Sequence, residues 1–171
     1  MELYQITLTC GACDAETKGV LSPHVRELQC ANCGAPVAKI KPFEGVVYVM
    51  SNPNIPGFVK VGMTTKDVYE RAKQLSQTGV PGSYQVDAVF PSHRPKNDEA
   101  KAHAKLARFK ANKEHFSLST AVAIVKVRSA LGGREPAFIR EIWRDEVAEM
   151  VEKNRVETLL KLGKAPAEEA S

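Results

Sequence analysis

Four cysteines stand in two Cys-x-x-Cys pairs, Cys10 and Cys13 in "CGAC" and Cys30 and Cys33 in "CANC", with sixteen residues between the pairs. Thiolates at this spacing supply the tetrahedral sulfur shell that zinc prefers, and a full set of four closes that shell, so the chemistry expected is structural. Small residues in each turn (Gly11 and Ala12, then Ala31 and Asn32 with Gly34 behind) let main-chain amides approach the sulfurs. The other reading is a redox pair with two idle thiols, against which the second pair argues. A more dispersed group lies beyond. In "VKVGMTT" (59–65) a charge, Lys60, sits between two β-branched residues in a run that ends at Gly62. Strand faces alternate, so Lys60 points away from the side taken by Val59 and Val61, into either water or a cleft. Tyr48 lies in the preceding apolar run, and a hairpin turning at 52–57 brings it onto the same face as Lys60. Arg71 precedes a core-facing Ala72 on the next helix and emerges at its flank, beside the sheet. Glu99, His103 and Leu106 follow at i, i+4 and i+7, which sets a carboxylate one turn from a histidine; a histidine so placed is more often structural than functional. Glu114, in "NKEHFS", reads by pattern alone as a solvated loop residue, and Tyr48 and Gly62 read equally well as core filling and turn geometry.

These residues need elements to position them. "GVVYVMS" (45–51) and "FVKVGMT" (58–64) are the two strands of an antiparallel hairpin around "NPNIPG". A helix follows, capped by Thr65 or Asp67, with Glu70 three residues after Asp67 and an apolar stripe of Val68, Ala72 and Leu75. "TGVPGS" ends it, "YQVDAVF" (84–90) is a third strand, "PSHRPK" a basic loop, and 97–111 a second helix with Ala102, Leu106 and Phe109 facing the core. "STAVAIVKVRSAL" suits helix or strand, with Ser119 as cap and the length favouring helix. Pro136 is expected to open a helix of about 25 residues, striped with Ile139, Trp143, Val147 and Met150, and "GKAPAEEAS" to be disordered. No internal repeat is evident. The pieces are a cysteine module over 1–42, a sheet domain over 43–120 and a helical region with a disordered tail over 121–171, with "PVAKIKP" as the connector.

The cysteine module resembles a zinc ribbon, a unit common in proteins that touch nucleic acid or other proteins. With about 40 residues to bury, its metal would supply most of its folding free energy. Taken together, "GVVYVMSNPNIPGFVKVGMTT", "ERAKQLS" with "TGVP", "DEAKAHAKL" and "EHFSLS" resemble the GIY-YIG nuclease superfamily, in the branch known from phage and bacterial DNA-binding-domain proteins. The resemblance spans roughly residues 44–119. It implies an α+β fold, a small three-stranded antiparallel sheet flanked by helices, and hydrolysis of a DNA phosphodiester with one divalent cation. It places the first motif's tyrosine on Tyr48, the second motif on Lys60, Val61 and Gly62, with lysine in place of tyrosine, the helix arginine on Arg71 and the metal-binding glutamate on Glu114. By that likeness Glu114 would hold Mg2+ or Mn2+, Arg71 would neutralise the non-bridging oxygens, Tyr48 would orient or deprotonate the attacking water, Lys60 would assist Tyr48 or clamp the phosphate, and His103 would help polarise water. Loss of the second tyrosine leaves a second outcome, a non-catalytic DNA-binding module or regulator on the same fold.

Charge bears on the partner. The 171 residues carry 24 basic and 20 acidic side chains, a net +4 that does not by itself demand nucleic acid. Distribution is more telling: Lys101, Lys105 and Arg108 recur at i, i+4 and i+7, with Arg94, Lys96, Lys110 and Lys113 in the flanking loops. Such a stripe can track a phosphate backbone; the bland alternative is a solvated face balanced by Asp98 and Glu99. No base-reading motif is visible, and the zinc ribbon or the C-terminal helices are where a protein partner or sequence specificity would enter. No run is apolar and long enough to span a bilayer, and "MELYQITLTC" lacks the features of a secretory signal, so a cytoplasmic protein with reduced cysteines is expected.

Overall fold

The computed structural model describes residues 4–21, 25–77 and 79–163. It divides the chain into two compact units that meet at Phe43 and Glu44.

The first unit is two β-hairpins, each turning through a cysteine pair. β1 (Tyr4–Thr9) pairs with β2 (Glu16–Leu21) and β3 (Glu27–Gln29) with β4 (Pro36–Lys39), all antiparallel. The two turns are built alike. Cys10 N–H donates to the Ala15 carbonyl and Asp14 N–H to that of Cys10, as Cys30 N–H does to Ala35 and Gly34 N–H to Cys30. Asp14 and Gly34 both take positive φ, 56° and 73°, to close their turns. So a structural repeat exists that the sequence hides in two short and otherwise dissimilar stretches. Among the described residues of this unit only Cys10, Thr17 and Cys30 are buried, so apolar burial contributes little to its stability.

The second unit is α+β around one antiparallel sheet. Its strands are β5 (Gly45–Ser51), β6 (Phe58–Thr64), β7 (Gln85–Ser92), β8 (Lys110–Asn112), β9 (His115–Ser117) and β10 (Phe138–Ile139), in the order β10-β7-β5-β6-β9-β8. The expected three strands form its centre, and three short ones widen it to six. Alternation along β5 and β6 sends Val47, Val49, Val59 and Val61 to one face and Tyr48, Met50, Lys60 and Gly62 to the other, in the register Tyr48↔Gly62 and Met50↔Lys60. The valine face packs on α2 (Pro95–Leu106), α3 (Thr120–Ala130) and α4 (Arg144–Lys161) in one core with Phe90, Ala102, Leu106, Phe116, Ile124, Val127 and Val147. The helices from 120 onward therefore share the sheet's core and do not follow it as a separate region. The tyrosine face packs on α1 (Val68–Ser76), whose Val68 and Ala72 join Tyr48, Met50, Tyr84, Val86 and Val89.

Local chemistry sets the helix ends. The Asp67 carboxylate accepts from Tyr69 and Glu70 N–H, both at 2.9 Å, and Ser119 Oγ accepts from Val122 N–H. Pro95 opens α2 at its first position, and the helix ends at Leu106 in a single 3-10 turn, Ala107–Phe109, rather than running to 111. The 25-residue helix expected from Pro136 is also corrected. Phe138 and Ile139 pair with Val89 and Ala88 as β10, a 3-10 turn spans Glu141–Trp143, and α4 begins only at Arg144. Buried Asp87 holds this segment down: it accepts from Trp143 Nε1 at 2.8 Å and pairs with Arg140 at 2.7 Å. Edge pairing and that anchor outweigh the helix-start signal of the proline. Most of the expected disordered tail lies outside the described residues.

Candidate nuclease-like site and cysteine centre

Tyr48 comes from the central strand β5, and its ring lies across Gly62 on the neighbouring strand. A Cβ on Gly62 would come within 2.6 Å of the Tyr48 hydroxyl oxygen. Lys60, two residues before Gly62 on β6, shares this face and is only 7 % exposed. Its register partner on the other side is His115 of β9. The turn between β8 and β9 is two residues, Lys113 and Glu114, with Lys113 at φ 42°. Glu114 is thus a hairpin-turn residue, held by its carbonyl accepting from Val61 N–H at 3.0 Å, and its carboxylate forms an ion pair with Lys60 Nζ. Arg71, on α1 beside the face, brings its charge near the Tyr48 phenol.

The far edge of β6 is completed by side chains. β9 pairs only with Phe58–Lys60, so the main chain beyond lacks a strand partner on that side. There His103 Nε2, 2.9 Å from the Val61 carbonyl, must be the donor, and Glu99 stands one helical turn away on α2. His103 also meets the Phe116 ring edge-on at 5.1 Å. Its place is thus that of a residue tying α2 to the sheet edge.

The electrostatics follow from this crowding. Burial pushes the Tyr48 phenol above its usual value against the pull of Arg71. Burial acts to raise Glu114 too, but the Lys60 ammonium outweighs it and holds the carboxyl below the ordinary range. Glu99 moves the other way, raised by burial despite His103. Burial and the nearby Lys60 charge keep His115 below the usual imidazole value. His115 Nε2 is also 2.7 Å from the hydroxyl of Tyr84, which stands on the same face.

Structure therefore brings Tyr48, Lys60, Arg71 and Glu114 together, with His103 at the rim, and adds Glu99, Tyr84 and His115. Glu99 had a signal in its i, i+4 spacing to His103; His115 sits in a three-residue strand too short to show alternation, and Tyr84 follows a Pro-Gly loop. The expected basic stripe is elsewhere. Lys101 and Lys105 lie two residues on from Glu99 and His103, roughly 200° around α2. Lys101 is also paired with Asp98 at 3.2 Å, while Arg94 caps α2 and Lys96 and Lys113 are exposed.

In the first unit the four Sγ atoms of Cys10, Cys13, Cys30 and Cys33 lie within 4.8 Å of one another. Cys10 and Cys33, and likewise Cys13 and Cys30, have their sulfurs 3.7 Å apart. Four thiolates about 2.3 Å from one zinc ion would be spaced by about 3.8 Å, so the set fits such an ion. Asn32 supplies a main-chain N–H to Cys30 Sγ at 3.4 Å and its side-chain amide to Cys13 Sγ at 3.6 Å. The Thr17 hydroxyl and the N–H groups of Cys33 and Asn32 draw Cys30 down to about 6. Cys33 is pulled down by the Ala35 main chain, yet Cys13 and Cys10 push it up to about 12. Thiols so close do not all ionise unaided; a dication makes that possible.

The model of the T5orf172 domain family matches residues 45–131, just over half of the chain, and the chain belongs to that family. The family is related in general to phage nucleases of the GIY-YIG and HNH kinds. No curated protein and no solved structure matches the chain. No helix among the described residues is long and apolar enough to cross a membrane.

Proposed function

We propose that this protein is a divalent-metal-dependent DNA endonuclease whose cysteine module is a structural zinc site. The observation that carries the reading is the convergence, from two strands, one helix and one hairpin turn, of a phenol, two cations and an ionised carboxylate on a single face. A phosphodiester being hydrolysed needs these groups: cations for the charge that builds on phosphorus, a polar hydroxyl to hold the water, and a carboxylate for the metal.

Arg71 reaches the non-bridging oxygens from the flank of α1. The Tyr48 hydroxyl, its proton kept by burial against the pull of Arg71, orients the attacking water by hydrogen bonding rather than by taking a proton. Lys60 keeps Glu114 ionised and, when substrate arrives, offers its ammonium to a phosphate oxygen. Glu114 fits Mg2+ or Mn2+, hard ions that need few carboxylates when waters and substrate oxygens complete the shell, because it is half-exposed and has one oxygen not engaged by Lys60. The bound ion would supply charge stabilisation to the leaving oxygen. His103 acts through β6, fixing the main chain around Val61 and Gly62.

One observation favours a second reading, a DNA-binding module without cleavage: Lys60 is nearly buried and already occupies Glu114. Incubation with duplex, nicked, branched and single-stranded DNA in Mg2+ or Mn2+ separates the two. Product that depends on the metal and vanishes with Glu114→Gln supports the nuclease; intact DNA with all substrates leaves the binding module.

A further inference from the structure

The cations of α2 do not line the site just described, and they have their own surroundings. Lys105, Arg108 in the 3-10 turn after α2 and Lys126 of α3 gather at Phe109. The Arg108 guanidinium carbon is 4.6 Å and Lys126 Nζ 5.3 Å from the centre of that ring. No carboxylate among the described residues forms a salt bridge with any of the three. The crowding has a cost: burial, with Arg108 and Lys105 nearby, lowers the Lys126 pKa. From this cluster a groove of about 920 Å³ runs between α3 and α4; Lys105 and Lys126 stand on its walls with Lys153 and Lys161, and Glu157 is the one carboxylate among its described residues.

We infer that the Lys105–Arg108–Lys126 cluster and the groove beside it form a phosphate-contact surface for duplex DNA, separate from the catalytic face. Uncompensated like charges are retained where a polyanion neutralises them, and a phosphodiester backbone presents charges at regular intervals along a track. Phe109 is covered by cations, so the contact is with backbone and not by stacking on bases. This deepens the nuclease reading and rests on DNA being the polyanion.

The test is fluorescence anisotropy of a labelled duplex longer than two helical turns, titrated with zinc-loaded Glu114→Gln protein without added Mg2+ over a range of salt. Removing Lys105, Arg108 and Lys126 together as glutamines should lower the slope of log affinity against log salt by roughly 2–3, since each phosphate contact contributes about 0.9. A control that neutralises Lys18, Lys73 and Arg144 removes the same charge elsewhere and should leave the slope near that of the parent. Equal slopes for the two triple variants would overturn the surface, as would polyglutamate competing as well as DNA at equal charge, which would make the partner an acidic protein. No cleavage enters this measurement, so failure of the nuclease reading in plasmid nicking is scored separately.

Discussion

Gly62 accepts hydrogen and nothing larger, because Tyr48 occupies the space where a side chain would begin. Gly62→Ala should therefore displace the phenol, destabilising the second unit by about 1–3 kcal/mol and reducing nicking far more than unfolding explains. Thermal denaturation beside a nicking assay on the same preparation checks both; unchanged nicking would mean that Tyr48 has no positioned role. The titrating pair gives a pH prediction. Glu114 is held below its unfolded value, so its contribution is complete above the ordinary carboxylate range and is lost as pH falls through its folded pKa. His115 is also held below its unfolded value; the unfolded chain takes up that proton first, so stability falls as pH drops below about 6.5. Melting temperature followed from pH 8 downward should show this first decline, and His115→Asn should flatten it. Tyr48 and Lys60 were legible in the sequence because strand alternation and a short turn put both on one face. Glu114 was not: a two-residue turn carries no pattern, and only the order of motifs around it pointed there.

At the scale of elements, β10 and the 3-10 turn before α4 hang on Asp87. Asp87→Ala removes the acceptor of Trp143 Nε1 and the partner of Arg140 from a fully buried position, and should cost about 3–5 kcal/mol in urea unfolding. A loss under about 1 kcal/mol would show that edge pairing with β7 alone holds the segment. The hairpin β5–β6 and helix α1 were readable, because seven-residue strands show their period and Asp67 its cap. The strands that widen the sheet have two or three residues each, below the length at which alternation appears, and their formation depends on a partner distant in sequence. For the same reason Pro136 misled: the signal for a helix start was local, and the pairing of Phe138 and Ile139 with β7 was not.

Over the whole molecule the two units owe their stability to different physics. The second has an apolar core on each face of its sheet, and the described residues of the first bury only two cysteines and one threonine. Chelation of zinc should release the amides of β1–β4 to full hydrogen exchange while those of β5–β7 stay protected; exchange of both units together would contradict this division. The central claim is that the Tyr48 face cleaves DNA, and nicking of supercoiled plasmid by the full zinc-loaded chain tests it most directly, with and without added Mg2+, for wild type and Glu114→Gln. Glutamine keeps a polar partner for the nearly buried Lys60, so loss of activity is not loss of fold. The account predicts relaxed circles with wild type in Mg2+ only. Supercoiled plasmid left intact by folded, zinc-loaded wild type in Mg2+, or nicking undiminished in Glu114→Gln, would contradict it.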